Sequence, residues 1–121
     1  MSRIVNAEIE ETFLGREEHG ILTCFLHLKG NGFGVGIGGR ALDEYDKNKK
    51  RRIATQEGFE LIELILDVVG VKKWEDLVGK YIRIELSEIG IGYKATRIGN
   101  LIKDDWLDFE KFFDERDGGR K

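Results

Sequence analysis

Glycine occupies positions 30, 32, 34, 36, 38 and 39, with Phe33, Val35 and Ile37 standing between them. An extended chain sends successive side chains to opposite faces, so a strand over this segment has side chains on one face and almost none on the other. Glycine inside regular structure costs roughly 0.5–1 kcal/mol against alanine, so such a run needs a steric reason. The bare face is expected to lie against something flat: another strand, a second protomer, or a ligand resting on the backbone. Gly34, Gly36 and Gly39 also match the spacing GxGxxG of dinucleotide-binding turns. That motif works where a strand ends and a helix begins. Here a charged segment follows instead, and the first clear helix starts only near Thr55.

The remaining pattern predicts an α+β domain, mainly an antiparallel sheet of about five strands with one long central helix and a short C-terminal helix. Val5, Ala7, Ile9 and Phe13 fall on one side of an extended segment over 4–14, with Asn6, Glu8, Glu10 and Thr12 on the other. After a polar turn at 15–20, Leu22, Cys24, Leu26 and Leu28 alternate along a second strand, which makes an antiparallel hairpin with the first. Residues 43–52 read as a charged, solvated loop. Phe59, Ile62, Ile65, Leu66 and Val69 recur at helical spacing, with Thr55 as N-cap and Gly70 as a left-handed stop. Trp74 and Leu77 fit a short helical turn. Two further strands run over 81–88 and 93–102, and Trp106, Phe109, Phe112 and Phe113 gather on one side of a last helix. The whole chain, 1–121, reads as a single domain, with 114–121 expected to be a flexible tail.

A chain of 121 residues has room for one core, and 40% apolar with 36% charged residues places it in the globular class. The first residues lack the apolar stretch of a secretory signal, and the longest apolar-rich segment, 61–71, is interrupted by Glu63 and Asp67. Neither export nor a membrane partner is therefore expected, and a single cysteine, Cys24, fits the cytosol. The formal net charge is -3, yet Lys47, Lys49, Lys50, Arg51 and Arg52 crowd one window, so the body is more acidic than that figure suggests. An acidic body argues against duplex nucleic acid as a partner but leaves room for a small anion. The basic run itself reads as a surface loop that could also meet phosphate.

No cofactor, metal or catalytic site is expected. Cys24 and His27 would face opposite sides of their strand, His19 has no matching ligand cluster, and neither histidine stands in a triad context. A binding site is better supported. Arg40 directly follows the double glycine, Arg97 is central in a late strand near Asn100, and Phe33, Tyr81, Tyr93 and Trp106 offer rings that can stack.

The segments TFLGREEHGILT at 12–23, GFGVGIGGRALD at 32–43, WEDLVGKYIRIE at 74–85 and RIGN at 97–100 resemble, in order along most of the chain, the first-described Thoeris anti-defence family of small phage and prophage proteins. The resemblance implies a non-enzymatic sponge. Such a protein traps the cyclic ADP-ribose isomer made by bacterial TIR-domain proteins, so that the effector receives no signal. It further implies action in the cytoplasm of an infected bacterial host, oligomers built from dimers, and in some members the capture of cyclic oligonucleotides. Related sequences are expected to carry an aromatic residue where this chain has Arg40. A ligand of this class needs donors for two phosphates, a slot for adenine and partners for ribose hydroxyls. Phe33, Gly36, Gly38, Arg40, Tyr93, Arg97 and Asn100 could supply them, with Arg116 and Arg120 either closing over the ligand from the C-terminal end or reaching a neighbouring protomer. The competing reading is a phage protein-binding inhibitor or recombination accessory protein that uses a strand edge or the Phe109–Phe113 helix.

Overall fold

The computed structural model describes residues 2–118. Eight strands and two helices follow in the order β1 (Ser2–Arg16), β2 (Leu22–Gly30), β3 (Phe33–Ala41), β4 (Asp43–Asp46), β5 (Arg51–Ala54), α1 (Gln56–Val69), β6 (Tyr81–Ile89), β7 (Gly92–Gly99), β8 (Trp106–Asp108) and α2 (Phe109–Gly118). A 3-10 turn at Trp74–Asp76 joins α1 to β6. The sheet has six strands rather than about five, in the order β3-β2-β1-β6-β7-β8, all paired antiparallel. The helix taken as long has 14 residues.

The sheet is a curled half-barrel. Its stagger begins in β1, whose first half, Ser2 to Glu8, pairs with β6, while its second half, Glu8 to Arg16, pairs with β2. Ala7, Ile9, Leu26, Leu28, Val35, Ile37, Ile82, Ile84, Leu86 and Ile98 line the concave side and are buried. Alternation places them there, and Leu61, Ile65 and Val68 of α1 cover them.

Alternation fails in one instructive place. Between Ile9 and Glu11 the β1–β2 register shifts by one residue, a bulge at Glu10. A bulge exchanges inward and outward positions beyond it. Phe13, expected alongside Ile9, therefore stacks on Phe25 of β2 with ring centroids 5.8 Å apart, and Phe25 is exposed. Thr12, expected outside, instead accepts a hydrogen bond from Trp74 Nε1 at 3.1 Å.

Helix α1 begins and ends as its sequence predicts: the Thr55 hydroxyl accepts from the Gly58 N–H, and Gly70 closes it at φ 91°. Its inward face is Gly58, Leu61, Ile65 and Val68, while Phe59 is largely exposed. Gly58 decides this. A Cβ there would come within 3 Å of Leu42, so that side of the helix is seated against the chain leaving β3.

The basic segment is a hairpin and not a loop. Strands β4 and β5 pair from Asp43↔Ala54 to Asp46↔Arg51, and Asp46 Oδ1 accepts from the N–H groups of Asn48 and Lys49 in the turn. Its root is fixed by Asp43, whose carboxylate is nearly inaccessible, 2.8 Å from Arg52 Nη2 and 3.1 Å from the Leu22 N–H. Burial works to raise the Asp43 pKa, but hydrogen bonds from Arg52 and Leu22, with the charges of Arg52 and Arg16, outweigh it and hold the carboxyl below its ordinary value. Among the described residues no helix is long and apolar enough to cross a membrane.

Candidate functional site

Strand β3 is hydrogen-bonded to β2 on one side only, and across the open side it faces β7 without a ladder. The seam between them is where the sequence's glycines matter. Val35 and Ile37 point inward and are buried, while Gly34, Gly36 and Gly38 are outward and exposed. A Cβ on Gly36 would meet only the Leu26 carbonyl oxygen, at 3.9 Å. Among the described residues nothing else comes within 4 Å of that position.

Gly38 and Gly39 have a different cause. Both have positive φ, 109° and 91°, and the β2–β3 register shifts beside them. They form a bulge that only glycine enters without strain. It delivers Arg40 to the C-terminal helix: the Thr23 hydroxyl donates to the Arg40 carbonyl oxygen at 2.7 Å, and the guanidinium carbon lies 4.5 Å from the centroid of the Phe113 ring.

Gly36, Ile37, Gly38 and Arg40 form one wall of a groove of about 260 Å³. Lys94, Ala95 and Thr96 of β7 form the other, and Phe109 and Glu110 of α2 close one end. Toward the start of β3 the Phe33 ring meets the Tyr93 ring across the seam at 5.9 Å, tilted by 49°. Five residues named from sequence, Phe33, Gly36, Gly38, Arg40 and Tyr93, are thus gathered along one seam. Phe33 and Tyr93 pin it, and the other three line the groove.

Arg97 and Asn100 do not line it. Arg97 Nε donates to Glu85 Oε1 at 2.6 Å, and its guanidinium carbon lies 4.3 Å from the centroid of the Trp106 ring, with Arg83 at 4.9 Å from the same ring. The Ser2 hydroxyl and Arg97 together hold the Glu85 carboxyl below its usual range. Asn100 is a structural knot: its Nδ2 donates to the Val68 carbonyl at 3.0 Å, and its Oδ1 accepts from the N–H groups of Ile102 and Lys103. Arg120 lies outside the described residues, as does the side chain of Arg116.

Sequence reasoning missed Lys94, Thr96 and Glu110. The first two fall within the strand expected over 93–102, but nothing in the sequence said that this strand would stand opposite the glycines. Cys24 is a buried thiol whose pKa burial pushes up to about 11, which suits packing and not nucleophilic chemistry. A second, shallower hollow of about 440 Å³ lies on the outer face over Phe13, Phe25 and Gly39, with Arg16, Glu17 and Glu18 around it. Its aromatic floor is apolar, whereas the seam groove joins an arginine, a lysine and bare backbone.

No family model matches the chain, and neither a curated protein nor a solved structure does.

Proposed function

We propose that this protein is a non-enzymatic binding protein that captures a phosphate-bearing nucleotide in the β3–β7 groove, and that its ligand is a cyclic ADP-ribose isomer of the TIR-derived kind. The observation that carries the reading is the wall made by Gly36 and Gly38, where a flat group can reach the backbone, beside the cationic side chains of Arg40 and Lys94. Guanidinium and ammonium groups suit phosphate oxygens. Sequestration needs close fit and slow release rather than a tuned acid or base.

The groove's size adds a condition. Sites for small molecules commonly run from roughly 300 to 1,000 Å³. A groove of about 260 Å³ in one chain falls below that range and is small for a ligand with two riboses and a diphosphate. The rest of the enclosure would come from a second copy of the chain, as in an oligomeric sponge.

The test is capture and release. The protein is incubated with the TIR-derived signal, freed of unbound ligand and heated, and the released material is assayed for effector activation. Intact signal is expected. Recovery of a cleaved product would instead make the protein an enzyme, and no depletion of the signal would leave the protein-binding reading, for which the Phe13–Phe25 stack, with Phe25 exposed, is one surface.

A further inference from the structure

The groove already holds an anion of its own. Glu110, in the first turn of α2, places Oε1 at 2.8 Å from Lys94 Nζ, and both residues line the cavity with Arg40. On the sheet, Lys94 stands opposite Ser87 of β6, which carries no charge, so the carboxylate that meets it comes from the helix. Helix α2 is tied to both sides of the seam: to β7 through Glu110 and Lys94, and to β3 through Phe113 beneath the Arg40 guanidinium.

We infer that Lys94 is an anion subsite for a phosphate or diphosphate group, and that Glu110 is its built-in competitor, which an incoming phosphate displaces. The inference rests on the nucleotide-binding reading of the groove and adds to it the residue that sets the affinity. Both side chains of the pair are about half exposed, 50% and 54%. Exposed pairs are weak, favoured over separation by a factor of about two to five. A phosphate group brings more negative charge and more acceptor oxygens to the same ammonium than a carboxylate does. It therefore displaces Glu110, whereas a monocarboxylate in solution gains nothing over the carboxylate already tethered there.

The competition has a measurable size. A ligand that needs Lys94 free binds with an affinity reduced by the fraction of time Lys94 is held. With the pair favoured two- to fivefold, Lys94 is available about a third to a sixth of the time, so abolishing the competitor tightens binding about three- to sixfold. A residue that served only to hold α2 in place would give the opposite sign, since its loss would loosen the groove.

Isothermal titration of the full-length protein with inorganic pyrophosphate reads this directly. Glu110→Gln, with Glu110→Ala as a second variant, is expected to tighten binding three- to sixfold at an unchanged thermal midpoint, and acetate is expected not to bind. Lys94→Gln is expected to weaken pyrophosphate binding about tenfold, and the Lys94→Gln/Glu110→Gln double variant to match it. Glu110 variants that bind as wild type does, or more weakly, would overturn the competitor while leaving the groove as the nucleotide site. If neither wild type nor the Glu110 variants bind pyrophosphate and the wild type retains no nucleotide signal, both readings fall together.

Discussion

Alanine at Gly36 and alanine at Gly38 are expected to move stability in opposite directions, although the two sites are neighbours on the same face of β3. At Gly36 a new Cβ meets one oxygen at ordinary van der Waals distance, 3.9 Å. The substitution removes freedom mainly from the unfolded chain, a gain of about 0.4–1 kcal/mol. At Gly38 the φ of 109° places an L residue in the left-handed region, costing about 1–2 kcal/mol, and the Cβ would stand 2.6 Å from the Cys24 carbonyl oxygen and 2.9 Å from Phe25 Cα. Both are backbone atoms, so strand β2 must shift, at a further cost of about 1–3 kcal/mol. The expected gap between the variants is therefore about 2.4 kcal/mol or more. At about 4 °C per kcal/mol for a domain of this size, that is a separation of about 10 °C or more in melting midpoint. Urea unfolding followed by the fluorescence of Trp74 and Trp106 measures it, provided the slope with denaturant is the same in both variants. Variants within about 1 kcal/mol of each other would refute the assignment of the two glycines to different causes. If Gly36→Ala were as damaging as Gly38→Ala, the outward face would be packed against something in solution.

Three further outcomes are expected. Gly36→Val fills the groove without disturbing the strand, so it should lower retention of the nucleotide signal at least tenfold in the capture assay while the thermal midpoint stays at or above the wild-type value. Arg97→Ala should leave retention unchanged and cost about 1 kcal/mol in urea unfolding, because its guanidinium is engaged with Glu85 and Trp106 and not with the groove. The depressed pKa of Asp43 gives stability that is fully present above the ordinary aspartate value near 4 and is lost as pH falls through the lower folded value. Asp43→Asn should therefore be about 1–2 kcal/mol less stable at pH 7, with a flatter limb below about pH 4 in a denaturation series.

Strands were legible where a two-residue period ran uninterrupted, as in Leu22 to Leu28 and Ile82 to Leu86, because one face of each is buried and the other is wet. Beyond Glu10 the period continues in the sequence but reverses in space. A bulge adds one residue without any change in composition, so Phe13 was assigned to the wrong face. The β4–β5 hairpin was hidden by its charge: Lys47 to Arg52 looks like solvated chain, and what orders it is the Asp43 carboxylate beside Arg52, a pairing of single residues that periodicity does not register. On α1, the spacing identified the helix and its ends but not its inward face, which Gly58 sets by admitting Leu42.

For the site, the glycines signalled a bare surface and were read correctly as excluding a dinucleotide turn. The other wall could not be seen. Strands β3 and β7 are not paired in a ladder and lie far apart in sequence, so the meeting of Gly36 with Lys94 and Thr96 follows only from the closure of the whole sheet. Arg97 and Asn100 were chosen for residue type, and residue type does not distinguish a ligand contact from a brace inside the fold.

The shared strand β1 also has a bearing on how the chain is made. Its second half finds β2 within the same hairpin, so the first three strands can assemble as soon as residue 41 has emerged. Its first half has to wait for β6, with Ser2 facing Ser87. During synthesis the N-terminal half of β1 is thus an open edge, and open edges are where chains add to one another. Ile4, Val5 and Ala7 lie along that waiting segment, flanked by Arg3, Asn6 and Glu8. That arrangement keeps a charged or polar residue beside each apolar one until the partner strand arrives.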